Sequence, residues 1–199
     1  RRQRQMCIRD RLGGNLVLTP DSENIAGSIR KAEELVAKYH AFMPNQFKNA
    51  VNALAHYNTT ARGLWEQSGH KIDAFVSGIG SGGTIQGVGS FLRKNSPGVT
   101  IVAVEPKNVS ALLGHEPGLH QIQGIGDGFI PDILDVSLID SIIEITDEDA
   151  IATTRNLASS NSLLCGTSSG ANVWAARQIA MEHPEWVIAT VLPDRAERY

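Results

Sequence analysis

The amino-acid sequence predicts an α/β fold in which a doubly wound, mostly parallel sheet is covered by helices on both faces. Short apolar runs alternate with longer stretches of helical spacing, which is the order of strands and helices in such folds. One run, residues 100–105, is almost continuously apolar, which is typical of a strand buried on both faces. Two glycine-rich turns, at residues 78–83 and 166–170, each lead from an apolar run into a helix. Because such turns meet at the carboxyl edge of a parallel sheet, we expect a site there.

Composition and charge narrow the functions to consider. The chain has 199 residues, of which 42% are hydrophobic, enough for a real core, and a net charge of −3. This charge gives no reason to expect nucleic acid or an anionic membrane as a partner. The sequence has neither an apolar run long enough to span a bilayer nor a signal-peptide pattern, so we expect a cytoplasmic location. Two cysteines, Cys7 and Cys165, and histidines without paired spacing predict neither a disulfide framework nor a metal site.

The first part of the chain carries three predicted features. A basic segment, residues 1–11, is interpreted as a solvated terminus, and residues 16–19 form a short candidate strand. A helix begins at Asp21 or Ser22 and ends near Tyr39, with a Glu34–Lys38 pair on its polar face. Residues 42–47 break this pattern. We therefore predict a domain boundary there, which gives domains of residues 1–44 and 45–199.

The elements of the second domain follow from the same patterns. A helix is predicted at residues 51–67, followed by a strand from about Ala74, the first glycine turn and a helix to about Lys94. The runs at 100–105, 141–145 and 187–192 are predicted strands, and further helices begin at Asp147 and after the second glycine turn. Residues 107–131 are irregular and rich in glycine. A loop of this length usually has a function or is mobile.

The first glycine turn has three interpretations. Gly78, Gly80 and Gly83 fit the pattern G-x-G-x-x-G, and free N–H groups at the start of a helix bind phosphate. The same pattern, with Glu105 at the end of the next strand, occurs in dinucleotide-binding folds. In the third interpretation the glycines only let a helix pack closely on a strand. The turn alone leaves all three open but favours phosphate, with Thr84 as an additional hydroxyl donor.

The second glycine turn, Gly166-Thr167-Ser168-Ser169-Gly170, offers hydroxyl groups in a nearly uncharged setting. A serine beside a heterocyclic nitrogen can hydrogen-bond it without favouring its protonation, as an aspartate would. Ser168 is therefore a candidate partner for such a nitrogen. The alternative is that Ser168 and Ser169 only cap the helix that follows.

Five segments, in order, make the chain resemble the pyridoxal-phosphate enzymes of the cysteine synthase group (O-acetylserine sulfhydrylase, with cystathionine β-synthase as a relative). They are Gln46-Phe47; Gly80-Ser81-Gly82-Gly83-Thr84; residues 122–131, IQGIGDGFIP; Gly166-Thr167-Ser168-Ser169-Gly170-Ala171; and residues 192–199, LPDRAERY. The resemblance begins at about Leu12. It implies the tryptophan synthase β-like fold, with residues 45–199 as the C-terminal cofactor-binding domain and residues 1–44 as a remnant of the N-terminal domain.

The resemblance also implies the cofactor, pyridoxal 5′-phosphate, and its contacts. The phosphate would lie on the first glycine turn, a serine would bind the pyridine nitrogen, and a segment near the C-terminus would lie beside the ring. The implied cofactor residues are Gly80, Ser81, Gly82, Gly83, Thr84, Ser168, Pro193 and Asp194. The implied substrate residues are Gln46, Gly124, Ile125 and Gly126. The implied reaction is a β-replacement, in which acetate leaves O-acetylserine and sulfide adds to give cysteine.

Two segments of the family are missing from the sequence. One is a Ser-x-Lys-Asp-Arg type segment, whose lysine binds the cofactor covalently, and the other is a T-S-G-N-T type loop that holds the substrate carboxylate. No lysine of the chain lies in a matching motif; the lysines are Lys31, Lys38, Lys48, Lys71, Lys94 and Lys107. We therefore expect an N-terminally truncated enzyme whose chain alone does not turn over substrate.

The sequence leaves open three alternative functions and the identity of the binding partners. The alternatives are a cystathionine β-synthase-type enzyme, a non-catalytic module that binds pyridoxal phosphate or phosphate, and a dinucleotide-dependent oxidoreductase with Glu105 on the ribose. The expected ligand is a small amino-acid substrate. The resemblance implies a homodimer for the full-length parent and allows the C-terminal tail of serine acetyltransferase as a partner.

Overall fold

The computed structural model describes residues 11–116 and 118–196. Residues 1–10 of the basic segment, which include Cys7, and residues 197–199 of the last family segment lie outside the described residues. The chain divides between Asn45 and Gln46 into two compact units. The assignment of residues 1–44 to a remnant of one domain and of residues 45–199 to a cofactor domain stays a prediction.

The first unit contains a long helix, α1 (Asn24–Tyr39), which follows a 3₁₀ turn at Asp21–Glu23. The predicted strand at residues 16–19 is wrong. This segment has no regular structure, and the side chains that would cover a sheet are open to solvent, with Val17 48% and Leu18 55% exposed. A short apolar run is therefore not enough for a strand where no neighbouring strand supplies hydrogen bonds.

Two ion pairs lie on the surface of the first unit. Arg30 Nη2 lies 2.6 Å from Glu23 Oε2, and Lys31 Nζ lies 2.7 Å from Glu34 Oε2. Glu34 thus pairs with Lys31 and not, as predicted, with Lys38. Both spacings bring side chains together on a helix surface, so the sequence alone does not choose between them.

The second unit is built on a four-stranded sheet in the order β3-β2-β1-β4, in which all neighbouring strands are parallel. The strands are β1 (Ala74–Gly78), β2 (Thr100–Pro106), β3 (Ser141–Ile145) and β4 (Ile188–Thr190). Val76 of β1 lies opposite Val102 of β2 and Thr190 of β4. The strand that leads into the first glycine turn is therefore flanked by a strand on each side.

Helices cover both faces of this sheet. They are α2 (Val51–Asn58), α3 (Thr60–Gln67), α4 (Gly83–Asn95), α5 (Asp147–Asn161) and α6 (Thr167–Glu182). Phe75 belongs to a buried cluster with Leu92 of α4, whereas Val76 belongs to a second cluster with Ala175 of α6. Successive side chains of a strand point to opposite faces, so these two clusters are the two sides of the sheet. The predicted doubly wound α/β architecture is thus confirmed.

Two elements differ in length from the prediction. The helix predicted at residues 51–67 is divided into α2 and α3 at Thr59, whose φ of −120° and ψ of −72° are not helical. Thr59 Oγ1 donates to the carbonyl of Ala55 at 2.7 Å, and such local side-chain bonds often bend helices. The last strand, predicted at residues 187–192, comprises only Ile188–Thr190.

Two glycines of α4 bring α2 into close contact. A Cβ atom on Gly83 would overlap the side chain of Asn52. A Cβ atom on Gly87 would overlap the carbonyl of Ala53 and lie 2.7 Å from Cβ of His56. Because glycine has no Cβ, α2 lies directly against the first turns of α4.

Candidate functional site

The first glycine turn joins β1 to α4 through a residue in the left-handed region. Gly82 has a φ of +81° and precedes α4 without a side-chain cap. A Cβ atom on Gly80 would overlap the carbonyl oxygen of Gly124, so this position also requires glycine. The first N–H groups of a helix have no partner within the helix. The turn therefore presents backbone donors at the carboxyl end of β1.

A cavity of about 180 Å³ lies at this end of the sheet. Its walls come from the first glycine turn, the irregular loop after β2, the start of α6 and the segment after β4. All the predicted cofactor residues line it, as do two of the predicted substrate residues. The lining residues are Ser77, Gly78, Gly80, Ser81, Gly82, Gly83, Thr84, Gly124, Ile125, Ser168, Asn172, Pro193 and Asp194.

Ser168 lies in the first turn of α6 and is only 2% exposed. Its hydroxyl has no hydrogen-bond partner among residues 11–116 and 118–196. A Cβ atom on Gly124 would lie 3.9 Å from Ser168 Oγ, so the glycine leaves space in front of the hydroxyl. The buried hydroxyls of Thr167 and Ser169 also lack partners in the described part of the chain. Ser168 is thus able to donate a hydrogen bond to a ligand.

Asn172 is a lining residue that the sequence analysis missed. It is 1% exposed; its Oδ1 accepts from the N–H of Gly78 at 2.7 Å, and its Nδ2 donates to the carbonyl of Val191 at 2.9 Å. The side chain therefore ties the end of β1 to the segment after β4. The signal that could have identified it was a single asparagine within an otherwise apolar run, Ala171 to Ala175.

The irregular, glycine-rich loop of residues 107–131 contacts the first glycine turn. The N–H of Gly126 donates to the carbonyl of Ile79 at 2.8 Å. Nδ1 of His120 accepts from the N–H of Ile122 at 3.1 Å, so Nε2 carries the proton and donates to the carbonyl of Gly126 at 3.0 Å. Gly124 and Gly126 have positive φ values of +95° and +74°. These bonds hold the backbone of Gly124 at the wall of the cavity.

Two predicted substrate residues, Gln46 and Gly126, do not line this cavity. The carbonyl of Gln46 accepts a hydrogen bond from Asn52 Nδ2 at 3.0 Å, which connects it to α2. Glu105, the acid of the dinucleotide alternative, is also outside the cavity. It is 3% exposed, and its Oε2 accepts from Ser110 Oγ at 2.6 Å and from a backbone N–H at 3.1 Å.

Two titratable groups near the turn have shifted pKa values. Burial raises the pKa of the Asp127 carboxyl, and the neighbouring His120 opposes this shift. Asp127 Oδ2 lies 3.8 Å from the position that a Cβ atom on Gly80 would take. Burial lowers the pKa of His56, whose Nε2 lies 3.3 Å from Thr84 Oγ1. Burial thus favours the neutral form of both groups.

The donors around the cavity suit a ligand with two different polar ends. Backbone N–H groups and the hydroxyls of Ser81 and Thr84 suit a phosphate dianion, since hydrogen bonds to a charged acceptor are the stronger ones. The hydroxyl of Ser168, which lines the same cavity, suits a neutral aromatic nitrogen. These are the types of donor that a phosphorylated pyridine would use.

Two other kinds of site find no support in the described part of the chain. No group of three or more histidines, cysteines and carboxylates there could hold a metal ion. None of the helices in residues 11–116 and 118–196 has the length and apolarity needed to cross a bilayer.

Comparison with known proteins identifies similar sequences. The family described as pyridoxal-phosphate dependent enzyme matches residues 4–194 of this chain. A cysteine synthase of Staphylococcus aureus (strain Mu50) is 45% identical over 189 residues, which are 94% of this chain and 61% of that protein. The chain thus spans about three-fifths of the length of this curated relative.

Solved structures are similar as well. O-acetyl serine sulfhydrylase isoform 3 from Entamoeba histolytica superposes with a TM-score of 0.89 at 38% identity, covering 98% of this chain and 59% of that chain. The O-acetylserine dependent cystathionine beta-synthase from Helicobacter pylori superposes with a TM-score of 0.92 at 41% identity. The match covers 98% of this chain and 64% of that chain. These similarities confirm the resemblance and the fold that the sequence predicts.

Proposed function

Because the chain belongs to the family of pyridoxal-phosphate dependent enzymes, we propose that it binds pyridoxal 5′-phosphate in the cavity described above. One observation supports this proposal most strongly. Thr84 of the first glycine turn and Ser168 of the second line the same cavity, although they are far apart in the sequence. One molecule with a phosphate and a pyridine nitrogen can use both.

Each wall of the cavity has a separate role in this proposal. When bound, the cofactor supplies an electron-withdrawing ring system that stabilises negative charge on a substrate. Residues 80–84 bind its phosphate through backbone N–H groups and the hydroxyls of Ser81 and Thr84. Ser168 donates to the ring nitrogen without adding a negative charge beside it, so the nitrogen stays neutral. Pro193 and Asp194 line the cavity and would border the ring.

For the substrate, we propose a small amino acid and a β-replacement of the cysteine synthase type. The reaction exchanges acetate of O-acetylserine for sulfide. The names of the similar proteins, a cysteine synthase and an O-acetyl serine sulfhydrylase, support it. Gly124 and Ile125 line the same cavity and would contact the substrate, whereas Gln46 and Gly126, the other two predicted substrate residues, do not line it. The similar cystathionine beta-synthase leaves a thiol nucleophile as the alternative to sulfide.

We do not expect the cofactor to be attached covalently to this chain. None of the lysines of the sequence lines the cavity. We propose that the chain alone binds pyridoxal phosphate non-covalently and does not turn over substrate, because the group that anchors the cofactor and moves the substrate proton is a lysine in this chemistry. A non-catalytic binding module is therefore the second candidate function.

Two substitutions test the cofactor site against inorganic phosphate. We expect Thr84→Val to weaken the binding of both pyridoxal phosphate and inorganic phosphate about tenfold, the usual effect of losing one hydrogen bond to a charged group. Ser168→Ala should weaken pyridoxal phosphate alone, since inorganic phosphate has no ring nitrogen. Calorimetric titration measures both affinities.

Exposed residues near the end of α5 supply control substitutions that also remove one hydroxyl each. Ser159→Ala and Ser160→Ala should leave both affinities unchanged, since neither serine lines the cavity. A wild-type chain that binds neither ligand, or a Ser168→Ala effect that is equal for both ligands, would contradict the proposed function.

The assembly and the location of the protein are further proposals. We propose a homodimer for a full-length enzyme of this family, a cytoplasmic location, and the C-terminal tail of serine acetyltransferase as a partner. Sedimentation of this chain next to a full-length relative tests the first of these. A peptide of the acetyltransferase tail that competes with amino-acid substrate for the relative, but not for this chain, would assign the tail contact to the additional residues of the relative.

A further inference from the structure

Helix α2 supplies two polar side chains to the back of the first glycine turn. Asn52 and His56 lie one helical turn apart on the face that packs against α4. Gly83 and Gly87 allow this contact, because a Cβ atom on either would overlap α2. Neither side chain was singled out in the sequence, and His56 does not line the cavity.

The hydrogen bonds of Asn52 fix the direction of the Ser81 hydroxyl. Asn52 Nδ2 lies 3.0 Å from the carbonyl of Gln46 and 2.9 Å from Ser81 Oγ. A carbonyl can only accept, so the atom facing Gln46 is the amide nitrogen, and its second N–H donates to Ser81. Since Ser81 Oγ accepts this bond, its own proton is free to point into the cavity.

The ring of His56 links two threonine hydroxyls. Nδ1 lies 3.0 Å from Thr60 Oγ1, and Nε2 lies 3.3 Å from Thr84 Oγ1. In the Nε2–H tautomer, Thr60 donates to Nδ1, and Nε2–H donates to Thr84, whose proton is then free for a ligand. In the Nδ1–H tautomer, Thr84 must instead donate to Nε2. The tautomer of His56 therefore decides whether Thr84 donates into the cavity.

We propose that Asn52 and His56 are positioning residues that make the hydroxyls of Ser81 and Thr84 donors toward a phosphate dianion. This inference rests on the proposed function, in which the same turn binds the cofactor phosphate. A dianion can only accept hydrogen bonds, so it binds best where every hydroxyl around it donates. Bound phosphate thus selects the Nε2–H tautomer of the neutral His56 ring.

The first test reverses the direction of the hydrogen bond between Asn52 and Ser81. Asn52→Asp replaces the amide donor by a carboxylate, which accepts the proton of Ser81 and removes it from the cavity. We expect the affinity of the full chain for inorganic phosphate and for pyridoxal phosphate to fall at least about tenfold. Asn58→Asp, the same change on an exposed position of α2, is the matched control and should change either affinity less than about twofold.

The second test uses the reach of two amide side chains. A glutamine amide extends about as far as Nε2 of histidine, whereas an asparagine amide extends only as far as Nδ1. We expect His56→Gln to keep phosphate affinity within about threefold of the wild type and His56→Asn to lower it about tenfold. Near-ultraviolet circular dichroism of each variant verifies that the fold is intact.

Nuclear magnetic resonance of the His56 ring nitrogens gives a readout that a merely structural role would not move. The protonated nitrogen should be Nε2 once inorganic phosphate is bound. A folded Asn52→Asp or His56→Asn variant with wild-type affinity, or an Nδ1–H tautomer in the phosphate complex, would overturn the inference. A wild-type chain that binds neither phosphate nor the cofactor would instead overturn the proposed function.

Discussion

At the scale of single residues, Asp127 is an acidic residue whose position is fixed by the conformation of the loop around it. It lies between Gly126 and Gly128, whose φ values of +74° and +80° fix the path of the loop over the first glycine turn. Its carboxyl is half-buried and has no hydrogen-bond partner in the described part of the chain. Burial without a partner penalises the charged form, which is why the pKa of Asp127 is raised.

This shift predicts how Asp127 contributes to stability at different pH values. The pKa of such a carboxyl is higher in the folded state than in the unfolded state. Its favourable contribution to folding stability is complete below the unfolded-state pKa and is lost as the pH rises through the folded-state pKa. We expect Asp127→Asn to raise the free energy of unfolding at pH 7 by roughly 1 kcal/mol, because it removes a desolvated charge. The gain should shrink as the pH falls toward the ordinary pKa of the carboxyl, 3.8.

Urea denaturation between pH 4 and pH 8 measures this difference. Glu66→Gln, a charge removal on the exposed side of α3, is the control and should show no such trend. If the stability gain of Asp127→Asn did not vary with pH, the carboxyl would not carry the penalty that its burial implies.

At the scale of elements, Asn172 links the end of β1 to the segment that follows the neighbouring strand β4. Its amide group takes one hydrogen bond from the end of β1 and gives one to the segment after β4, and β1 and β4 are paired over only three residues. Such a short pair has few ladder hydrogen bonds of its own. The side chain therefore secures the separation of the two segments that border the cavity.

Removal of this link should be costly. Asn172→Ala removes the partner of two part-buried groups, the N–H of Gly78 and the carbonyl of Val191, so we expect the free energy of unfolding to fall by about 1–3 kcal/mol. Urea denaturation of this variant beside Asn58→Ala, an exposed change on α2, gives the difference. A loss that is equal for both variants would show that the two bonds contribute nothing.

The sequence predicted the elements whose signal is local. The strand, turn and helix around Gly82, the continuous strand β2, and the start of α5 at Asp147 depend on nearby residues, and all three are found in the structure. The break at Thr59 was missed because one side-chain bond to the backbone decides it. The shortness of β4 was missed because strand length depends on a neighbouring strand.

The residues of the candidate site likewise fall into those that a local sequence pattern indicates and those that depend on tertiary packing. The residues of the two glycine turns have a compositional signal, and the resemblance to a family drew attention to Pro193 and Asp194. The roles of Asn172 and Asn52 arise only when distant segments pack together. The apolar neighbours of Asn172 give a weak signal, whereas the sequence around Asn52 and His56 does not distinguish positioning residues from surface residues.

At the scale of the whole molecule, the cavity lining formed by the described residues has hydroxyl and backbone donors but no lysine. The lysines of the chain lie elsewhere; Lys31, for example, pairs with Glu34, and Lys48 lies 3.5 Å from Asp132. A cofactor aldehyde bound in the cavity would therefore meet no lysine side chain among the described lining residues. We therefore expect the cofactor to bind this chain without covalent attachment.

Borohydride reduction tests this distinction. After incubation with pyridoxal phosphate and reduction, we expect mass spectrometry to find only scattered, low-level modification of surface lysines, unaffected by excess inorganic phosphate. Removal of unreduced cofactor by dialysis should be complete. A single lysine that is modified preferentially, and is protected by phosphate, would contradict non-covalent binding.

Helices α4 and α6 lie on opposite faces of the sheet, yet both begin at the cavity. The positive ends of their two macrodipoles therefore lie at the same cavity, in a chain whose net charge is −3. Neither lysine nor arginine is among the lining residues in the described part of the chain. Attraction of an anion there would come from fixed peptide groups at short range, so its dependence on ionic strength should be weaker than that of an arginine-lined pocket.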